Sequence, residues 1–104
     1  EDAFLKKIRD YMAQHWDDAR FDGPRLAHAL LLSEVQLYRK IKALTGKSTA
    51  LYMRSLRLHK AQELLRTTQL TVSEIAYDVG FEDPNYFSRT FSQEFGTPPS
   101  EARS

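Results

Sequence analysis

The chain of 104 residues contains no cysteine. That absence excludes a disulfide framework and any thiolate metal site, and it suits a reducing cytoplasm. No apolar run approaches the roughly 18 residues that a membrane-spanning helix needs, and no signal-peptide pattern is visible. Catalytic signatures are missing as well. His15, His28 and His59 fall in different segments without metal-ligand spacing, and no carboxylate pair, nucleophile elbow or glycine-rich phosphate loop occurs. The expectation is therefore a protein that is not an enzyme and needs neither cofactor nor metal.

What is present is ordinary globular material, 41% hydrophobic and 28% charged. The length fits one domain or two small subdomains sharing a core. The chain opens on "EDAFLKKIRDYM", already in helical rhythm, which suggests a piece excised from a longer protein. Its formal charge of +1 hides an uneven spread. Residues 33–66 carry eight Lys/Arg against two acids (+6), residues 67–104 two against six (−4), and residues 1–32 five against six (−1). A basic middle between neutral and acidic ends points to a polyanionic partner met mainly through that middle.

The hydrophobic spacing is helical throughout. Phe4, Leu5, Ile8, Tyr11, Met12 and Trp16 form one stripe. "DDARFDGP" breaks it, and Pro24 suits the first position of a short second helix carrying Leu26, Ala27, Leu30 and Leu31 inward. Ser33 with Gln36 predicts a capping box, and Leu37, Ile41 and Leu44 mark the buried side of the helix that follows, up to Gly46. A long helix from Ser48 or Thr49 to about Arg66, about 27 Å by its length, has a broad apolar face. Thr71 with Glu74 predicts a second box, Gly80 a stop, Asp83-Pro84 another start and Gly96 another end, with "TPPSEARS" beginning a last helix.

Two stretches repeat. Leu26-Ala27 matches Ile75-Ala76 at an offset of 49, and Leu37, Arg39, Ile41 and Gly46 match Phe87, Arg89, Phe91 and Gly96 at an offset of 50. The odd residue falls in the turn between helices, where insertion is easiest. The economical interpretation is an all-α chain of two helix-turn-helix subdomains, residues 1–47 and 67–104, joined by a linking helix over residues 48–66. Helical geometry then turns Val35, Arg39 and Lys42 outward in the first unit, flanked by Gln36, Tyr38 and Ala43. In the second, Asn85, Arg89 and Ser92 face outward, flanked by Ser88 and Gln93. Outward Arg and Asn suit the major groove, where Arg pairs with guanine O6 and N7 and Asn with adenine N6 and N7. Lys42, Arg54 and Arg57 are candidate phosphate contacts; on the linking helix the arginines, with Lys60, fit a solvated face equally well. Lys47, Ser48 and Thr49, at a helix start, can clamp a phosphate through backbone N–H groups.

The segments "LYRKIKALTGKSTALYMRSLRLHKAQELLR" and "LTVSEIAYDVGFEDPNYFSRTFSQEFGTPPSE", with the spacing between them, resemble the DNA-binding domain of AraC/XylS-family bacterial transcription regulators. The likeness runs from about Phe4 onward, and "FLKKIRDYM" before "LYRKIKALTGKS" looks most like the output domain of hybrid two-component sensors. The resemblance implies about seven helices, with two recognition helices entering successive major-groove segments of double-stranded DNA. It implies Val35, Gln36, Tyr38 and Arg39 as base-reading positions in the first unit and Asn85, Ser88 and Arg89 in the second. Val35 and Tyr38 would read by contact with thymine methyls or by a single hydroxyl bond. It further implies a cytoplasmic site of action, control by a separate module, and dimerisation through a region outside this chain. The competing reading is an interaction module that docks RNA polymerase or another domain of the same regulator. Two departures stand out: Thr49 follows "GKS" where Pro is common, and Ala102 stands where an aromatic is usual.

Overall fold

The computed structural model describes residues 2–103. Among them are seven helices and no strand: α1 (Ala3–Ala13), α2 (Gly23–Ala29), α3 (Glu34–Thr45), α4 (Thr49–Thr67), α5 (Val72–Asp78), α6 (Pro84–Phe95) and α7 (Pro99–Ala102). The starts follow local chemistry. Asp2, Asp22, Ser33, Thr71 and Asp83 each accept an orphan N–H of the helix they precede. Both expected capping boxes, Ser33–Gln36 and Thr71–Glu74, are formed. Ser48 caps α4, its Oγ accepting the Leu51 N–H at 3.2 Å. Gly46 and Gly96 end α3 and α6 in the left-handed conformation, with φ of 77° and 76°.

The chain divides into two compact units. One comprises residues 2–15 with Arg20–Leu56, the other Trp16–Ala19 with residues 57–103. The division falls within α4, after Leu56, and four residues of the α1–α2 connection go with the second unit.

In the first unit Ile8, Met12, Phe21, Leu26, Ala27, Leu37, Ile41 and Met53 are buried. The His15 ring stacks on Phe21 with centroids 4.1 Å apart, and the Tyr11 hydroxyl donates to the Ala29 carbonyl at 3.2 Å. Leu44, expected inward, is instead 47% exposed. The buried ridge of α3 runs at four-residue intervals through Leu37 and Ile41 to the half-buried Thr45, so a residue three beyond Ile41 rotates off it.

The second unit has a more aromatic interior. Leu58, Ala61, Leu65, Ile75, Ala76, Val79, Phe81, Phe87 and Phe91 form one buried cluster with Phe95 and Ala102 packed against it. Phe81, Phe87, Phe91 and Phe95 follow one another with centroids 4.6–5.8 Å apart, the range in which ring pairs attract. Ala102 leaves α7 without an aromatic anchor, yet the helix is held. The Arg103 guanidinium donates to the carbonyls of Thr68 and Leu70, closing the C-terminal segment onto the end of α4.

Candidate nucleic-acid interface

Each unit contains the same turn. After α2, Leu31 N–H bonds the His28 carbonyl at 3.1 Å and Leu32 N–H the Ala27 carbonyl at 2.9 Å. After α5, Gly80 N–H bonds the Tyr77 carbonyl at 3.0 Å and Phe81 N–H the Ala76 carbonyl at 2.9 Å. The repeated sequence therefore builds a repeated helix-turn-helix, and α3 and α6 occupy equivalent places in it.

On α3, Val35, Gln36, Tyr38 and Arg39 are all exposed, on the side away from the buried Leu37 and Ile41. The Gln36 side chain is already engaged. Its Oε1 accepts the Ser33 N–H at 2.9 Å as half of the capping box, so a two-point pair with adenine would require giving up that bond. Lys42 is exposed with its ammonium on the Gly46 carbonyl at 2.9 Å, at the negative end of the helix. An open groove of about 370 Å³ lies beside Tyr38, with Pro24, Leu37 and Ala50 in its lining.

On α6, Asn85 and Arg89 are exposed and Ser88 is half-buried. The Arg89 guanidinium lies over the Tyr86 ring, 5.8 Å from its centroid, a cation–π contact that narrows the directions it samples. The position matching Tyr86 in α3 is Gln36, three residues before Arg39.

Of the candidate phosphate contacts, Lys47 is exposed, while Ser48, Thr49 and Arg54 are partly covered. The Ser48 oxygen serves the cap, and the Thr49 methyl lies close to Gly23. Arg57 requires a correction. It is only 7% exposed, and its guanidinium donates to the carbonyls of Trp16 and Val79 at 2.8 Å each and of Asp18 at 3.1 Å. Burial pushes its pKa down from the ordinary value, and the Asp18 carboxylate opposes that shift. A guanidinium so committed to backbone carbonyls is part of the second unit's frame and not a phosphate contact. Among the described residues no cluster of His, Asp or Glu could hold a metal ion, and no helix is long and apolar enough to cross a membrane.

Comparison with known proteins agrees with this geometry. A family described as "Helix-turn-helix domain" matches residues 26–104. The C-terminal domain of the two-component response regulator yesN from Fusobacterium nucleatum superposes with a TM-score of 0.83 at 32% identity, covering 99% of this chain and 100% of that one. The chain belongs to the AraC/XylS type of helix-turn-helix DNA-binding domain. Within that family, the transcriptional activator RhaS of Enterobacter is 37% identical over 102 residues, 98% of this chain. The DNA-binding domain of AdpA, a global transcriptional factor solved in complex with a target DNA, matches with a TM-score of 0.83 at 27% identity, over 95% of this chain and 88% of that one. The chain spans 36% of the length of RhaS and 7% of another curated relative.

Proposed function

We propose that this chain binds double-stranded DNA sequence-specifically as the output domain of a bacterial transcription regulator. In this reading α3 and α6 enter successive major-groove segments. Residues 1–47 and 67–104 are the two reading subdomains, with residues 48–66 between them. The observation that carries the proposal is the duplicated turn followed in each copy by a helix with an exposed guanidinium, Arg39 in one and Arg89 in the other. Relatives named as transcription regulators, one of them solved on DNA, support it. The response-regulator relative supports placement at the end of a two-component pathway. The regulator would act in the cytoplasm and dimerise through a region outside these residues, which would raise the effective concentration of each DNA-binding domain.

The charge distribution assigns unequal work to the two units. Attraction to phosphate comes from the basic middle of the sequence, and the acidic C-terminal third contributes little. The test is selection of bound sequences from a random DNA pool, followed by footprinting and a salt titration. The expected result is an asymmetric site with two protected major-groove segments about 10 bp apart and affinity that falls steeply with salt. Protection of one short segment would contradict two-helix engagement. If no sequence is enriched, the alternative of a domain that docks RNA polymerase takes precedence.

A further inference from the structure

The groove beside Tyr38 belongs wholly to the first unit, and its chemistry differs from that of the basic stretch around it. Pro24, Leu37, Ala50 and the Tyr38 ring give it an apolar lining, and Asp22 and Glu34 add two carboxylates. Both acids are exposed, and Glu34 is one of two acids in residues 33–66. Asp22 caps α2 through Oδ1, 3.2 Å from the Arg25 nitrogen, and a carboxylate has acceptor capacity beyond one such bond. Two negative charges at one opening repel a phosphate and attract a cation.

The duplication sets this groove apart from the shared turn. At the offsets of 49 and 50, the places of Gly23 and Leu37 hold the bulkier Val72 and Phe87 in the second unit, and Phe87 is fully buried there. The places of Asp22 and Glu34 hold the uncharged Thr71 and Pro84. Gly23 also allows a close approach: a Cβ there would stand 3.3 Å from the Thr49 methyl carbon, so a larger residue would fill or part this wall of the groove.

We propose that the groove is a binding site for a small organic cation with an apolar body, such as an arylalkylammonium ion, and that its occupant competes with DNA for the first unit. Its volume of about 370 Å³ falls in the range of small-ligand sites, about 300–1,000 Å³. The apolar body packs on Leu37, Ala50 and the Tyr38 ring, and the ammonium head meets Glu34 and Asp22. Competition follows from position, because Tyr38 is a candidate base-reading residue, Thr49 a candidate phosphate contact, and both line the groove. Binding needs only the groove, whereas the competition rests on the DNA-binding reading above.

Three probes of similar shape and different charge make the test: phenylpropylamine, phenylpropanol and phenylpropionate. Each is titrated into the 104-residue chain at neutral pH and low salt and followed by amide chemical shifts. The amine should bind with a Kd of the order of 1 mM. It should bind about fivefold tighter than the alcohol, with the carboxylate weakest. Shifts should move at Gly23, Leu37 and Ala50 and stay in place at the matching Val72, Phe87 and Ser100. Glu34→Gln, at an exposed position, should cut the advantage of the amine over the alcohol to about twofold. Asp22→Asn, which keeps a good N-cap residue, should act in the same direction. On DNA selected with this chain, phenylpropylamine at about ten times its Kd should weaken binding about tenfold by mass action, and less in Glu34→Gln. Phenylpropionate at the same concentration controls for ionic strength. Equal affinity for the three probes, no binding of the amine, or shifts away from the groove would overturn the site. Amine binding that leaves DNA affinity unchanged would overturn the competition. Failure to select any DNA would overturn the DNA-binding reading and the competition with it, while the titration still decides the site.

Discussion

The turn after α2 and the turn after α5 make the same backbone bonds, yet one places Leu31 and the other Gly80 in the left-handed region, with φ of 59° and 90°. Behind Gly80 lies the Arg57 guanidinium, so close that an added Cβ would fall 1.8 Å from Nη1 and 2.8 Å from the Trp16 carbonyl oxygen. Leu31, expected to point inward, instead lies past the end of α2 and faces solvent, 91% exposed. The same local fold is thus fixed in two ways. In the second unit, tertiary packing on a buried cation dictates the residue. In the first nothing presses on the turn, and a strained leucine is tolerated.

That contrast breaks most visibly at Gly80. Gly80→Ala combines the left-handed penalty of a side-chain-bearing residue with overpacking against a guanidinium held by three carbonyls. The expected loss is about 2–4 kcal/mol, read as a lower midpoint in urea denaturation. A loss below about 1 kcal/mol would mean that Arg57 can swing away cheaply, and the clasp would not be the frame described here.

The reverse change in the first unit should have a smaller effect of opposite sign. Leu31→Gly relieves about 1–2 kcal/mol of left-handed strain and gives back about 0.5–1 kcal/mol through the greater freedom of the unfolded chain. Little burial is lost because the side chain is exposed. A net gain of about 0.5–1 kcal/mol in the same denaturation experiment is expected. Destabilisation would show that the leucine makes a contact its exposure conceals.

Local features of both units were legible in the sequence because their causes are local. Ser33 with Gln36, Thr71 with Glu74, and the closing Gly46 and Gly96 all act over three or four residues, and each formed as its spacing implied. Arg57 was not legible. Its acceptors are carbonyls of Trp16 and Asp18, 41 and 39 residues away, and any residue type carries such a carbonyl. Arg103 reaches carbonyls 35 and 33 residues away and is illegible in the sequence for the same reason. Leu44 is exposed although its spacing fits the buried side, because spacings of three and four both fit a helix in general and only packing selects between them. Gln36 is the instructive case. The sequence signalled a cap and the resemblance implied base reading, two uses of one amide that geometry sets in competition.

The capping boxes themselves carry the finest difference between the units. The first closes with the amide of Gln36, which does not titrate, and the second with the carboxylate of Glu74. The Thr71 backbone N–H, and secondarily its side chain, hold the Glu74 pKa below its ordinary value. A carboxyl depressed in the folded state stabilises fully above its unfolded pKa, and that contribution fades as pH falls through the lower folded value. Acidification below the ordinary carboxylate range should therefore weaken the start of α5 before that of α3. Glu74→Gln should remove this part of the acid dependence, leaving the second box as insensitive to pH as the first. Amide hydrogen exchange of Thr71 and Glu74, compared with Ser33 and Gln36 across that range, resolves so small an effect. Parallel behaviour of the two boxes in the native chain would show that Glu74 contributes as a neutral acceptor and not through its charge.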